Sequence, residues 1–296
     1  MSMRSIIVLL FLFLIGDIDA QNLIWFIENS KFGYVHKITG RTTIIPQFTF
    51  ASQFNDSIAV AAVGNHLLSS KYGFINEKGK WLIIPQFNAA GNFSEGKARV
   101  QQNGKWGFIN KKGSFVIQPR FALCADFKEG LAQASVKNNL WGLIDSSGKF
   151  VVQPEYYTIT DVFAGLTCTQ KNMTDKWEIL DIKKKTSIKT SFTRMYAFSD
   201  SLAPARDSSN KWGFVNINGN WVIQPGFTNA SSFSEGVAAV EKDYGSWGFI
   251  NKKGEWIIPP QFDRSGSFYK GLALMEKGPD IVYIDMEGNI LYSFKR

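Results

Sequence analysis

The chain alternates short apolar bursts with polar turns, and the unit from Lys105 to Lys137 shows the rhythm in full. Trp106-Gly107-Phe108-Ile109 is short, aromatic and β-branched, which predicts a strand. Asn110-Lys111-Lys112-Gly113 comes next. Asn can bond the following backbone and Gly can take a positive φ, so these residues predict a hairpin turn. The second strand, Phe115-Val116-Ile117-Gln118, runs into Pro119. Proline cannot donate to a ladder, so it suits a strand end or a sheet edge. Phe121 follows two residues later, and a short connection leads to the turn Phe127-Lys128-Glu129-Gly130. A third strand then runs from Leu131 to Val136. One unit is a hairpin plus a third strand, and negligible helix is expected.

The same grammar recurs along the chain. Aromatic-Gly dipeptides stand at Phe32-Gly33, Tyr72-Gly73, Trp106-Gly107, Trp141-Gly142, Trp212-Gly213 and Trp247-Gly248. Trp177-Glu178 and Val282-Tyr283 hold the same place without glycine. Successive spacings are 40, 34, 35, 36, 35, 35 and 35 residues, the long one carrying extra residues around His66 to Ser70. The proline stop returns at Pro46, Pro85, Pro154, Pro225 and Pro260, with an aromatic two residues after each. A period this regular is the mark of a repeat architecture.

The pattern resembles the WG repeat family over residues 22 to about 294. The motif is Trp-Gly-Phe-Ile-Asn-x-x-Gly-x-Trp-x-Ile-x-Pro-x-Phe, then Phe-Ser-Glu-Gly-x-Ala-x-Val, kept best at 212–240. The resemblance implies an all-β array of roughly 35-residue units and brings no catalytic residues or cofactor with it. The array counts as about eight units. Leu23-Ile24-Trp25-Phe26-Ile27 stands before Phe32-Gly33 as a third strand stands before each Trp-Gly, and the chain ends on a hairpin, Ile281 to Phe294. This reads as one unit split between the termini, the way ring folds close. The expected architecture is a β-propeller-like closed ring, which hides its sheet edges. The alternative is an open β-solenoid held by nearest-neighbour stacking.

The first twenty residues read as an address. Arg4 precedes an unbroken apolar run from Ile6 to Ile15, and Ala20 is a small residue for cleavage. The run is too short for a spanning helix, which needs about 20 residues. A signal peptide over 1–20 and a single β domain over 21–296 are therefore expected, placing the protein outside the cytoplasm: secreted, periplasmic or at the cell surface. Removing Arg4, Asp17 and Asp19 moves the net charge from +8 to +9. The Lys residues are scattered on turns rather than gathered in a patch, which argues against nucleic acid. Cys124 and Cys168 exclude a disulfide-rich scaffold and leave either one bridge or two free buried thiols. The core must come from packing, with 25 Phe and nine Trp to supply it.

Candidate chemistry is sparse. Trp106, Trp141, Trp212 and Trp247 read as repeated core contacts, each with a Gly that lets another backbone come close. Trp81, Trp221 and Trp256 open the second strand beside the polar turn, are expected to be partly exposed, and are the aromatic row to nominate for a ligand such as a glycan. Glu95, Glu129 and Glu235, with Asp56 and Asp200 in equivalent places, fit backbone capping better than a carboxylate ring. Only two histidines are present, so neither a metal site nor a Ser-His-Asp arrangement can be assigned. The unit at 176–206 departs most, with Glu178, Thr186 and Thr190 at consensus positions and a basic face from Lys183, Lys184 and Lys185. That face is either an acidic partner's dock or an eroded repeat. Asn55, Asn92, Asn172 and Asn229 sit in Asn-x-Ser/Thr triplets. The reading is a monomeric, non-catalytic scaffold for a protein or surface glycan. The alternatives are an enzyme with a site in a central channel, or a purely structural envelope component.

Overall fold

The computed structural model describes residues 22–65, 69–137 and 139–295, so the expected signal peptide and most of the insertion at His66 lie outside the described residues. Eight antiparallel sheets follow one another along the chain as the blades of a β-propeller. Blade 3 is representative, with strands Ala89–Ser94, Lys97–Gln102, Lys105–Asn110 and Phe115–Phe121 in order from the innermost to the outermost. Among the described residues six blades have four strands and two have three. Blade 1 has β1 (Leu23–Glu28), β2 (Lys31–His36) and β3 (Thr42–Phe48). Blade 8 has Ala273–Lys277, Asp280–Ile284 and Ile290–Lys295, with Arg264 bridging Glu276 as the remnant of its inner strand.

The phase of the repeat differs from the phase of the sheets. Lys97–Gln102 pairs with the Trp-Gly strand that follows it, across Asn103 and Gly104, both at positive φ. Such a two-residue turn twists the way a hairpin needs and here fuses the third strand to the next hairpin, a pairing the other blades repeat, several of them across longer connections. β1 accordingly pairs with β2, its neighbour in sequence. Among the described residues no blade is split between the termini, contrary to the count from Trp-Gly to Trp-Gly. Among the described residues no strand pairing closes the ring; Ile24, Phe26 and Val35 of blade 1 pack with Leu272, Tyr283 and Phe294 of blade 8, and the Tyr269 hydroxyl donates to Asn55 across the seam.

The turn after each Trp-Gly strand forms as its residues dictate. In blade 3 the Asn110 Oδ1 accepts from the amides of Lys112 at 3.0 Å and Ser114 at 3.1 Å, and Gly113 takes φ 83°. In blade 1 the His36 Nδ1 takes that role, accepting from Ile38 and Thr39.

The Gly of each Trp-Gly has a definite cause. The outer strand bulges opposite it, through the Ile-x-Pro segment, and lays its backbone on the Gly. A Cβ on Gly107 would stand 2.5 Å from the Ile117 carbonyl oxygen and 2.7 Å from the Pro119 nitrogen. Blade 5 has Glu178 there and Thr190 in place of the proline, and its outer pair runs from Glu178–Lys189 to Asp181–Thr186 without a shift of register. Glycine and bulge are therefore lost together. The prolines cost nothing in the ladder because they lie on the outermost strand, with no further strand to serve.

Blades are joined by two further devices. The Phe of each Phe-x-Glu-Gly turn packs back onto the preceding blade: Phe54 on Tyr34 at 4.7 Å, Phe93 on Phe74 at 4.9 Å, Phe127 on Phe108 at 4.7 Å, Phe233 on Phe214 at 4.8 Å and Phe268 on Phe249 at 4.7 Å. The acidic residue of the same turn reaches forward instead. Glu95 accepts from the Gly130 amide at 3.0 Å, Asp200 from Gly236 at 3.0 Å, and Glu235 from Lys270 at 2.5 Å and Gly271 at 2.9 Å. Three of the five carboxylates expected to cap, Glu95, Asp200 and Glu235, do cap backbone, but that of the next blade rather than their own, whereas Asp56 faces Lys111 at 3.9 Å. Cys124 and Cys168 are free and buried, and burial pushes both thiols up to about 12.

Candidate binding site between the last and first blades

The innermost strand of a typical blade does two jobs. It caps the free edge of the second strand, and it leads into the Phe that covers the preceding blade. In blade 2 the amides of Thr49 and Ser52 donate to the carbonyls of Ala62 and Val60, each at 2.9 Å. Blade 1 has no inner strand among the described residues. Trp25 and Ile27 hold the places of Val60 and Ala62, as their pairing with the Trp-Gly strand shows. Pairing puts Tyr283 of blade 8 in the place of Phe249, so Ile281-Val282 rather than Val282-Tyr283 stands in the Trp-Gly place. Phe26 of blade 1 joins the Tyr283 cluster, but among the described residues no inner turn of blade 1 supplies a ring to Tyr283 as Phe268 is supplied to Phe249.

A pocket of about 340 Å³ lies where these two absences coincide. β1 contributes Ile24 and Trp25, blade 8 contributes Tyr269, Leu272, Leu274 and Tyr283, and blades 2 and 3 contribute Phe54, Asn55 and Asn92. The size is at the small end of ligand pockets, enough for one or two side chains. Antiparallel pairing places the inner turns and the Asn-x-x-Gly turns at one end of every blade, so the pocket opens on that face of the ring.

Its polar groups are few. Asn55 is spent, its Nδ2 donating to the Phe93 carbonyl at 2.9 Å and its Oδ1 accepting from the Tyr269 hydroxyl at 3.1 Å. The Gln53 amide donates to the Leu23 carbonyl. Asn92 is different, because its buried Oδ1 has no hydrogen-bond partner. Lys37 and Lys270 complete the lining, which contains no carboxylate. Burial raises the Tyr283 phenol well above the usual tyrosine range, so it stays protonated at any physiological pH.

The residues nominated from sequence lie elsewhere. Trp81, Trp221 and Trp256 are partly exposed, as expected, but each rests against the Phe of the preceding blade: Phe48 at 5.6 Å, Phe192 at 4.9 Å and Phe227 at 6.1 Å. They sit one per blade interface, on blades 2, 6 and 7, and do not converge. Lys183, Lys184 and Lys185 are exposed on the outer turn of blade 5, where Lys184 pairs with Asp181 at 3.1 Å. Lys183 lines a cleft with Glu129, Leu131 and Ile182. None of the six lines the pocket between blades 8 and 1. Among the described residues no group of three or more His, Cys, Asp and Glu could hold a metal. Of the four Asn-x-Ser/Thr asparagines only Asn172 is exposed.

Trp25 and Phe26 carried a readable signal. Where Phe26 stands, the other units have Ala61, Val100, Ala134, Thr169, Ala205, Val240 and Met275. An aromatic in that column marks a blade packed differently from its sisters.

The ring of eight blades defines the class, a β-propeller. The chain belongs to the WG containing repeat family, whose model matches residues 72–106, 106–141, 141–177, 212–244 and 247–278, more than half of its length. The segment from 178 to 211 is unmatched, where Gly and Pro are missing. No curated protein matches the chain. Among solved structures it is similar to BamB from Moraxella catarrhalis, with a TM-score of 0.51 at 13% identity over 91% of this chain and 93% of that one. It is also similar to AztD from Citrobacter koseri, with a TM-score of 0.54 at 11% identity over 92% and 94%. The dihydro-heme d1 dehydrogenase NirN gives a TM-score of 0.58 at 11% identity over 94% of this chain and 74% of that one. At these identities the likeness is one of fold, and the fold serves an enzyme as well as other proteins.

Proposed function

We propose that this protein is a non-catalytic scaffold, working outside the cytoplasm, that recognises a protein partner through the pocket between blades 8 and 1. The observation that carries the reading is the division of labour along the chain. The repeated Gly, Pro, Asn, Phe and Glu residues each serve turn, bulge or blade contact. The pocket instead gathers Trp25, Tyr283, Leu274 and a buried, unpaired Asn92 oxygen at the seam where, among the described residues, blade 1 has no inner strand. An apolar recess with a few fixed polar groups is the usual form of a recognition site. A glycan on the Trp81, Trp221 and Trp256 row is the competing ligand, and an acidic surface on Lys183, Lys184 and Lys185 is another.

The test is a displayed-peptide selection run beside a glycan array. It uses the full chain, a Trp25→Ala variant, a triple Trp81/Trp221/Trp256→Ala variant and a triple Lys183/Lys184/Lys185→Ala variant. Peptide enrichment lost only in Trp25→Ala supports the proposal. Glycan binding lost in the Trp triple, or binding lost only in the Lys triple, overturns it.

A further inference from the structure

We propose that the pocket's ligand is an extended peptide segment of a partner protein that adds to the free edge of β1 as the innermost strand of blade 1. This rests on the scaffold reading above and gives its partner a chemistry. The sister blades show what the edge accepts. Carbonyls at the places of Trp25 and Ile27 take amide bonds from the inner segment in blade 2, as above. They do so again in blade 6, Tyr196 to Pro204 at 3.0 Å and Thr193 to Arg206 at 2.9 Å, and in blade 7, Ser231 to Ala239 and Thr228 to Glu241, each at 2.9 Å. An unpaired strand edge with pockets for alternate side chains is the substrate for β-strand addition.

The sisters also specify the side chains. Inner strands such as Phe50–Ala51, Leu123–Cys124 and Asn229–Ala230 end on a small buried residue, and a buried Phe stands three positions later, at Phe54, Phe127 and Phe233. The aromatic of the added segment covers Tyr283 as Phe268 covers Phe249. The unpaired Asn92 Oδ1 is an acceptor for an N–H of the incoming segment. Lys37 and Lys270, with no carboxylate in the lining, select a segment that carries an acidic residue beside its aromatic. The chain's own leading residues do not fit this description. The 35-residue register that sets Leu23 against Ile58 gives Phe54's column to Asp19. The occupant is therefore a partner's segment.

The probe is the blade 7 sequence itself, an acetylated, labelled octapeptide Thr228 to Glu235, titrated by fluorescence anisotropy against the full chain. The protein's N terminus is first established by mass spectrometry and its monomeric state by light scattering. Saturable binding is expected. It should fall at least tenfold when the peptide's Phe is replaced by Ala, or when the amides matching Thr228 and Ser231 are N-methylated. Lys270→Glu should weaken the Glu-bearing peptide at least threefold and leave its Gln counterpart unchanged. Equal binding of the N-methylated peptide overturns strand addition while leaving the scaffold reading intact. Absence of peptide binding together with glycan binding sinks both. Binding that appears only after residues 1–21 are removed assigns the edge to the chain's own segment, and competition from a concentration-dependent dimer assigns it to a second copy. Either outcome overturns the proposal.

Discussion

Gly213→Ala isolates the reason for the Trp-Gly glycine. The new Cβ would stand 2.4 Å from the Ile223 carbonyl oxygen, 2.8 Å from the Pro225 nitrogen and 2.9 Å from the Gln224 carbonyl carbon. All three are backbone atoms of the outer-strand bulge, so no rotamer change relieves the contact. Overpacking costs about 1–3 kcal/mol, and a backbone obstruction belongs at the upper end. Stiffening the unfolded chain returns roughly 0.4–1 kcal/mol. The net is a loss of about 2 kcal/mol, read as a lower urea midpoint or a Tm lower by roughly 3–6 °C. The control is Glu178→Ala, the same column in the blade without a bulge. It loses only the 2.6 Å bond from the Ser187 hydroxyl, at an exposed pair, and should cost under about 1 kcal/mol. The reasoning fails if Gly213→Ala unfolds within about 0.5 kcal/mol of the parent, or if Glu178→Ala costs as much.

Phe127→Ala removes a side chain 1% exposed at 4.7 Å from Phe108, and a loss of about 3–5 kcal/mol is expected in chemical denaturation. A loss below about 1 kcal/mol would show that the blade contact contributes little. Cys124 and Cys168, buried and with thiols raised to about 12, should react with a thiol reagent only as fast as the protein unfolds; prompt labelling of the native chain would contradict this. Bonds to the turn carboxylates lower the pKa of Asp145, chiefly from the Ser147 hydroxyl, of Asp181, chiefly from the Lys184 amide, and of Asp285, chiefly from Asn289. A carboxylate lowered in the folded state stabilises above its unfolded value of about 3.9 and loses that contribution as pH falls through the folded one. Denaturation midpoints should hold from neutrality to about pH 4 and then drop, less steeply for Asp145→Asn, which keeps the turn; equal acid slopes for both proteins would refute the assignment.

Most of the fold was legible because its causes are local and recur. Asn110 and Gly113 bound a four-residue turn wherever that pair recurs at this spacing, and Pro119 marks an outer strand without reference to distant residues. The repeat boundary was not legible, since a periodic sequence has no privileged starting point. The deciding evidence was the Asn103-Gly104 hairpin, which joins across what looked like a unit boundary. The partial exposure of Trp81, Trp221 and Trp256 could be read from the adjacent polar turn, but their contacts with Phe48, Phe192 and Phe227 depend on how neighbouring blades meet. The pocket was the least visible feature. It arises where the described residues give blade 1 no inner strand and no covering Phe, and only the aromatic Phe26, in a column that is otherwise non-aromatic, hinted at it.

Because each described sheet is built from consecutive strands, the covalent order of the blades matters less than their circular order. The Glu235 carboxylate on Gly271 and the Phe268 ring on Phe249 join blade 7 to blade 8 whichever link elsewhere in the ring is cut. A circular permutant opened in the outer-to-inner connection between blades 4 and 5, with the old ends joined by a linker, should therefore fold to the same ring. Gene rearrangements that rotate or duplicate whole blades meet little structural resistance in such a chain, and the seam can migrate from one blade to another while the scaffold persists.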